Sequence, residues 1–509
     1  MTRTTIGAAV LSALLLWAAS PAVGAGWLAW IAIAPVAWVV LSAPGTRAAR
    51  VAVPLAYCVY LELLLVPALP FGLAEGQWGE AALPVLVGGS PVLPVALVAI
   101  PLLGVLLYAL RFGEPWGADL LGPRLRAIAI VLVPALAWTG LDLVRAKLEP
   151  GGAWGPLYLT QVDVPASELA TLGGPWLLTL AIVAFNYGLA LAVVRRAPLP
   201  ALVPAGAIVA ALVLATALDR DEPDSAALTV AAIQPGYDTA EDELEPELLR
   251  HWDEGTFNLS ARDLFRDLGA LTGRAARSGA ELVVWPEAVA FVDLNERAGA
   301  RAALLRVARA NGVTIIAPYF DHATRNGAAL AVSPGGAVTG PRPKQRAMWF
   351  LGEEDGAAVG PRPLRAAGTR VGTLLGIDVQ DPGLAGSLAA ADAELTASST
   401  HDWRSLATQH RALAALGAEA SGVPVVRADW RYGSAIFDRE GEPVADAGGD
   451  RRRTVVAAEL EPGSPTPYAR LGDAVGWVSL VAAAVAWLAA AGAGVATRRR
   501  RIPAWDSAP

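Results

Sequence analysis

Residues 281–287 read Glu281-Leu282-Val283-Val284-Trp285-Pro286-Glu287. A short unbroken apolar run of this kind describes a strand buried on both faces. The proline cannot donate to a central ladder, so it ends the strand, and a carboxylate is left at the strand's tip. The same pattern repeats outward. Residues 226–233 form a β-like run before Gln234-Pro235-Gly236, and a polar helical stretch covers about 242–279. A helix over roughly 294–311 leads into a strand at 313–318. A hairpin over Pro334-Gly335-Gly336 joins 328–332 to 337–339. Further strands are predicted at 371–377, 393–397, 423–427, 434–437 and 454–460, with a helix at 404–420. Buried strands alternating with helices predict a layered α/β domain over 226–462.

The flanks of this domain are much more apolar. The chain has 509 residues, 54% hydrophobic and only 17% charged, against roughly 25% charged in soluble proteins, and its mean hydropathy is +0.44. This excludes a disordered chain and argues against an ordinary cytosolic enzyme. With 40 basic and 47 acidic residues, a net charge of −7 offers no global field for nucleic acid. A single cysteine, Cys58, excludes an intrachain disulfide, a cysteine-based zinc site and an iron–sulfur cluster. No metal or other cofactor is expected.

A bilayer core takes about 20 apolar residues as helix. Seven candidate spans precede the α/β domain, at about 5–22, 26–43, 51–71, 89–110, 127–146, 173–194 and 199–218, within a membrane domain of residues 1–219. An eighth, 474–497, is followed by a basic tail, 498–509, that opens with Arg498, Arg499, Arg500 and Arg501. Ala22-Val23-Gly24-Ala25 could serve as a signal-peptide cleavage site; a retained anchor is the favoured reading, because another span follows at once. Loop charges alternate in support of the count. Arg3, then Arg47 and Arg50, then Arg111, Arg124 and Arg126, then Arg195 and Arg196, and finally the four-arginine tail fall on one side, and only Lys147 falls in a loop of the other. Cationic loops stay in the cytoplasm, so both termini are expected there and the α/β domain outside. Arg- and Ala-rich usage suggests a high-GC bacterium, and the location expected is its cell membrane. Within the spans, Cys58 reads as a packing residue, since apolar surroundings disfavour a thiolate. Glu62 reads either as functional or as lying near the outer interface.

Seven spans, an outer α/β domain and one closing span resemble the apolipoprotein N-acyltransferase family, whose soluble part belongs to the carbon–nitrogen hydrolase (nitrilase) superfamily. The 283–287 string is similar to the family strand that delivers a glutamate base. Arg325-Asn326-Gly327-Ala328 is similar to its asparagine turn, Lys344 occupies its lysine position, and Gly352-Glu353 is similar to its Phe-Gly-Glu, with Leu351 separating Phe350 from the glycine. Asp142, Arg145, Trp154-Gly155 and Asn186 also fit, with Asp in place of the usual Glu. The resemblance implies a four-layer α-β-β-α sandwich. It also implies transfer of an acyl chain from a membrane phospholipid, through an enzyme thioester, to the diacylglyceryl-cysteine of a lipoprotein. Glu287 would be the base, Lys344 the oxyanion-stabilising cation and Glu353 an additional carboxylate.

The nucleophile breaks the pattern. Leu375-Gly376-Ile377-Asp378 stands where the family has a string like Ile-Cys-Tyr-Glu, and Gly376 falls on the cysteine. Asp378, two residues on in a strand, would share the face of Gly376. Ser398, Ser399, Thr400 and His401 would follow the next strand near the pocket, and Asp402-Trp403 resembles a pocket-lining pattern. None is a convincing replacement. Three readings follow: a pseudoenzyme that binds lipid or lipoprotein, beside an active paralogue; an acyltransferase working by direct amine attack on the lipid ester; or a transporter or scaffold, disfavoured by the few polar residues in the spans.

Overall fold

In the computed structural model the described residues are 2–65, 98–148, 154–218, 226–236, 259–290, 294, 298–321, 324–348, 353–354, 360–402, 404–450 and 452–501. Twelve strands are found among them: β1 Leu228–Gln234, β2 Leu282–Val284, β3 Thr314–Asp321, β4 Asn326–Val332, β5 Val338–Pro343, β6 Leu364–Ala366, β7 Thr369–Leu375, β8 Leu395–Thr400, β9 Val425–Asp429, β10 Ala435–Phe437, β11 Pro443–Asp446 and β12 Thr454–Leu460. They form two six-stranded sheets, ordered β12-β1-β2-β3-β4-β5 and β11-β10-β9-β8-β7-β6. Each sheet has a parallel centre, β1-β2-β3 in one and β7-β8-β9 in the other, with antiparallel outer strands.

Strand alternation builds the layers. On β2, Val283 pairs with Ala231 of β1 and Ile315 of β3. These three turn outward onto helices α8 (Leu259–Arg277) and α9 (Ala298–Asn311), where they pack with Leu268, Leu271 and Leu304. Their neighbours Leu282, Val284, Val230 and Ile316 turn inward onto Val371, Leu375, Ala397 and Val426 of the second sheet. Helices α10 (Pro382–Ala390) and α11 (Arg404–Ser421) cover that sheet's far face through Leu388 and Leu413. The result is helix, sheet, sheet, helix, the nitrilase-like sandwich expected.

The N-terminal part is helical and apolar. Its helices are α1 (Arg3–Ala19), α2 (Ala34–Ser42), α3 (Arg47–Leu65), α4 (Ile100–Ala109), α5 (Pro123–Lys147), α6 (Pro175–Arg195) and α7 (Leu199–Ala217); α12 (Ala474–Arg501) closes the chain. Among the described residues, five helices are long and apolar enough to cross a membrane: α3, α5, α6, α7 and residues 474–493 of α12. Three expected spans are shorter helices, α1, Gly26–Ser42 and α4. The spans at 51–71 and 89–110 run into 66–97, which lie outside the described residues. The span at 26–43 is broken at Ile33, next to Pro35, and the break is satisfied by Asn186 from α6. Its Oδ1 accepts the N–H groups of Ile33 (2.9 Å) and Ala34 (2.8 Å), and its Nδ2 donates to the carbonyls of Ala29 and Ile182. All of this side chain's usual donors and acceptors are used, as an apolar surround requires.

One joint ties the two parts together. Lys147, at the end of α5, lies 2.7 Å from both Asp381 Oδ1 and Asp473 Oδ2. Arg346 Nη1 donates to Asp381 Oδ2 (3.1 Å) and to the Ala146 carbonyl (2.8 Å). Trp176 Nε1 and Tyr468 Oη both donate to Asp473 Oδ1. Asp381 also caps α10 by accepting the Gly383 N–H. Removing the lysine leaves two carboxylates facing each other with little water. Lys147→Met should destabilise the detergent-solubilised chain by about 1–3 kcal/mol given its partial exposure, read as a lower thermal midpoint. Lys147→Arg should restore most of the loss.

Candidate active site

The site is assembled where strand ends from both sheets meet. Trp285 continues β2, donating its N–H to the Ile316 carbonyl, and its fully buried indole lies edge-on to Phe265 and donates to Thr272 Oγ1 at 3.0 Å. The second sheet grips the segment that follows. Ser399 Oγ donates to the Trp285 carbonyl (2.8 Å) and Trp430 Nε1 to the Glu287 carbonyl (2.6 Å). Glu287 is thereby fixed by its backbone.

Lys344 arrives from the end of β5, its N–H bonded to the Gly327 carbonyl. Only 1% of its side chain is exposed. Nζ donates to Glu287 Oε1 at 3.2 Å and lies 3.0 Å from Glu353 Oε2. Glu353 is itself held by the Met348 N–H, which donates to its Oε2 at 2.8 Å. One ammonium thus serves two carboxylates. Burial opposes the charge on Lys344, but Glu287, Glu353 and Asp378 outweigh it and hold the ammonium well above its usual range. Burial pushes the Glu287 carboxyl above its usual value; Lys344 pulls it back and Glu353 adds to the push. Lys344 therefore stays protonated, a donor and not a nucleophile, and Glu287 is a better base than a surface glutamate.

β7 ends at Leu375, and Gly376 turns sharply with φ +50°, opening a 3₁₀ turn over Gly376–Gln380. A Cβ placed on Gly376 would lie 2.5 Å from Glu287 Oε1 and 2.7 Å from Oε2. The Glu287 carboxylate fills the volume that a side chain at 376 would need.

The sequence of each half matches a family model: the apolipoprotein N-acyltransferase N-terminal domain over residues 12–188, and the carbon–nitrogen hydrolase domain over 229–470. The chain belongs to the apolipoprotein N-acyltransferase family, within the nitrilase superfamily. Among solved structures it is similar to an amidase from Nesterenkonia sp., at 17% identity over 49% of this chain and 94% of that one, with a TM-score of 0.37. It is also similar to a carbon–nitrogen hydrolase from Helicobacter pylori G27, at 16% identity over 46% and 89%, again with a TM-score of 0.37. No curated protein matches.

Against the family pattern, Glu287, Lys344, Glu353 and Gly376 converge as the resemblance implies. The other expected pocket residues are engaged elsewhere. Asp378 does not share the face of Gly376, because the backbone there is a 3₁₀ turn and strand alternation no longer applies. Its two oxygens accept the N–H groups of Leu375 (3.0 Å), Gln345 (3.1 Å) and Arg346 (2.8 Å), so it fastens the Lys344 loop to the turn at Gly376. Burial pushes Asp378 up to about 7 against the pull of Lys344 and of those N–H donors. Asp402 is buried in an ion cluster, with Arg427 Nη2 at 2.7 Å and His410 Nδ1 at 2.9 Å. Burial raises its pKa, but His410 and Arg427 together outweigh that and hold it down to about 2. His410 Nε2 in turn meets Gln380 at 2.8 Å. Trp403, Phe350, Leu351 and Gly352 lie outside the described residues.

The candidate replacement nucleophiles fare no better. Ser398, Ser399 and Thr400 belong to β8 itself, not to a loop after it. Ser399 is spent on the Trp285 carbonyl and Thr400 on Asp429 Oδ2, while His401 stacks near Trp430. Among the described residues, no hydroxyl, thiol or imidazole bonds to Glu287 or Lys344. Cys58 Sγ sits in α3 against the Ile100 carbonyl at 3.5 Å. Sequence reasoning missed Trp430, His410 and Arg427, which reach this region only through tertiary contacts and carry no local motif.

Lys344→Met would leave Glu287 and Glu353 buried without a counter-ion, a loss of about 3–5 kcal/mol. The folded-state pKa of Glu287, already raised by burial, would then rise further above the unfolded one, so the folded variant holds more protons and its stability falls as pH rises. The thermal deficit relative to wild type should be larger at pH 8 than at pH 5. An equal deficit at both would contradict the ion-triad assignment.

Proposed function

We propose that this chain is a membrane-embedded member of the N-acyltransferase family that forms no enzyme thioester and works as a lipid- or lipoprotein-binding pseudoenzyme. In this reading eight spans place both termini in the cytoplasm, and the nitrilase-like domain faces outward from a bacterial cell membrane. Phospholipid and lipoprotein are the partners, with an active paralogue supplying turnover. The observation that carries the reading is the relation of Gly376 to Glu287: the nucleophile position has no side chain, and the base's carboxylate lies 2.5 Å from where a Cβ would be.

A second reading is favoured by the intact Glu287–Lys344–Glu353 triad. A neutral α-amine bound beside a phospholipid ester could attack the carbonyl directly, Glu287 taking the proton that the nitrogen sheds as the C–N bond forms, Lys344 holding the oxyanion, and Glu287 returning the proton to the lysophospholipid oxygen as the C–O bond breaks. Such transfer needs both substrates bound together. The two readings part in one assay. Membranes containing the chain are incubated with phospholipid and a diacylated lipoprotein peptide, and the triacylated product is sought by mass spectrometry. The pseudoenzyme reading expects bound peptide and no product. Product that vanishes in Glu287→Gln, with a rate that climbs as pH rises through the elevated Glu287 pKa, supports direct transfer instead.

Gly376→Cys tests whether the pocket is otherwise competent. A side chain at φ +50° carries about 1–2 kcal/mol of strain, and the flexible Glu287 carboxylate must withdraw. The folded variant should trap a hydroxylamine-labile acyl adduct at residue 376. A folded variant with no adduct contradicts a retained acyl pocket.

A further inference from the structure

A second cavity lies away from the triad and shares no lining residue with it. It has a volume of about 220 Å³ and is built half from the membrane part and half from the α/β part. One wall is the turn after α1 (residues 21–26) together with the segment 159–163; the other is the first half of α11 with the ends of β10 and β11. Two guanidiniums line it, each laid over an aromatic ring: Arg404 Cζ is 5.6 Å from the centre of Tyr432, and Arg411 Cζ is 5.6 Å from that of Phe437. Such rings hold a guanidinium in place without consuming its N–H donors.

The four charges of the lining are unequally committed. Arg411 is paired with Asp446. Arg404 is half-exposed, and its ionic partner among the described residues is the far more exposed Asp450 at a loose 3.9 Å. Asp163, across the crevice on the membrane side, is exposed and makes no ion pair among the described residues. One available cation therefore faces one available anion, over a floor that includes Leu159, Val162 and Ala412. The depth matters too. The crevice lining includes the end of the first apolar helix, Ala19, and the turn beyond it, which in the topology proposed above lies at the level of the outer lipid headgroups.

We propose that this crevice is a non-catalytic binding site for a zwitterionic phospholipid headgroup, with the phosphate on Arg404 and the ammonium beside Asp163. Arg404 can offer a bidentate fork to phosphate oxygens. A headgroup bound here would hold the α/β domain to the bilayer at a point remote from Gly376, whichever reading of the triad holds.

The test uses the full-length chain in maltoside detergent, with binding of short-chain lipids followed by native mass spectrometry. Dihexanoyl-phosphatidylethanolamine should bind with one equivalent that depends on Arg404. Arg404→Gln should weaken it roughly tenfold, the effect of losing a charge-assisted hydrogen bond, and Arg404→Lys should recover part of it. Asp163→Asn should weaken phosphatidylethanolamine and leave dihexanoyl-phosphatidylglycerol unchanged. Both crevice side chains are exposed enough for their variants to fold. The proposal is overturned if dihexanoylglycerol binds as tightly, or if Arg404→Gln has no effect. It is also overturned if free glycerophosphoethanolamine binds as well as the lipid, pointing to a soluble ligand, or if a lipoprotein peptide takes the Arg404-dependent site in place of lipid.

Discussion

A protonated lysine buried between two glutamates is the interaction on which the rest of this structure depends. Lys344 brings a strand end of the first sheet to within 3.2 Å of Glu287 and gathers the Glu353 loop on its other side. An ammonium so enclosed is costly to desolvate, and only a surrounding that fixes both carboxylates makes it tolerable. That surrounding is the second sheet. Ser399, Thr400 and Trp430 hold the backbone around Glu287, and Asp378 ties the Lys344 loop to the turn at Gly376. The triad, built on strand ends of the first sheet and the loop that follows, is thus clamped to the second sheet by these contacts.

The same geometry explains how the site closes without a side chain at residue 376. Gly376 sits at φ +50° at the mouth of a 3₁₀ turn, a conformation that glycine adopts freely. The Glu287 carboxylate then occupies the space so released. That carboxylate is held there by its ion pair with Lys344. The joint at Lys147 extends this logic to the membrane side. Arg346, two residues beyond Lys344, reaches both Asp381 and the end of α5, so the loop that carries the buried ammonium is anchored to the apolar helices.

Much of this was legible in the sequence where local pattern decides structure. The apolar runs at 282–284 and 314–318 became strands because their neighbours bury both faces, and 454–460 became an edge strand whose Val456 and Leu460 face the core. The helix expected at 404–420 was found at Arg404–Ser421. Two edge strands, β6 and β11, escaped notice: each has only three or four residues, with exposed Arg365 in one and Pro443 in the other, too little to establish a period. Helix α10 was missed because it opens on Pro382-Gly383, a turn signal that Asp381 converts into a cap. The span at 26–43 could not be known to break at Ile33, since the residue that stabilises the break, Asn186, lies about 150 positions away. In the site, Glu287, Lys344, Glu353 and Gly376 were readable through motif strings. Asp378 was misplaced because one glycine in the left-handed region ended the alternation on which the reading relied. The Asp402–His410–Arg427 cluster had no sequence signal, because its members meet only in the folded core.

The central claim is that no covalent acyl-enzyme can form on this chain. The direct measurement is to incubate the wild-type protein, in membranes, with phospholipid carrying a radiolabelled acyl chain, and then to denature it and measure label bound to the polypeptide. The account predicts none above the level of a Glu287→Ala control. Label that survives denaturation and maps to Ser398, Asp378, Cys58 or any other residue would contradict it.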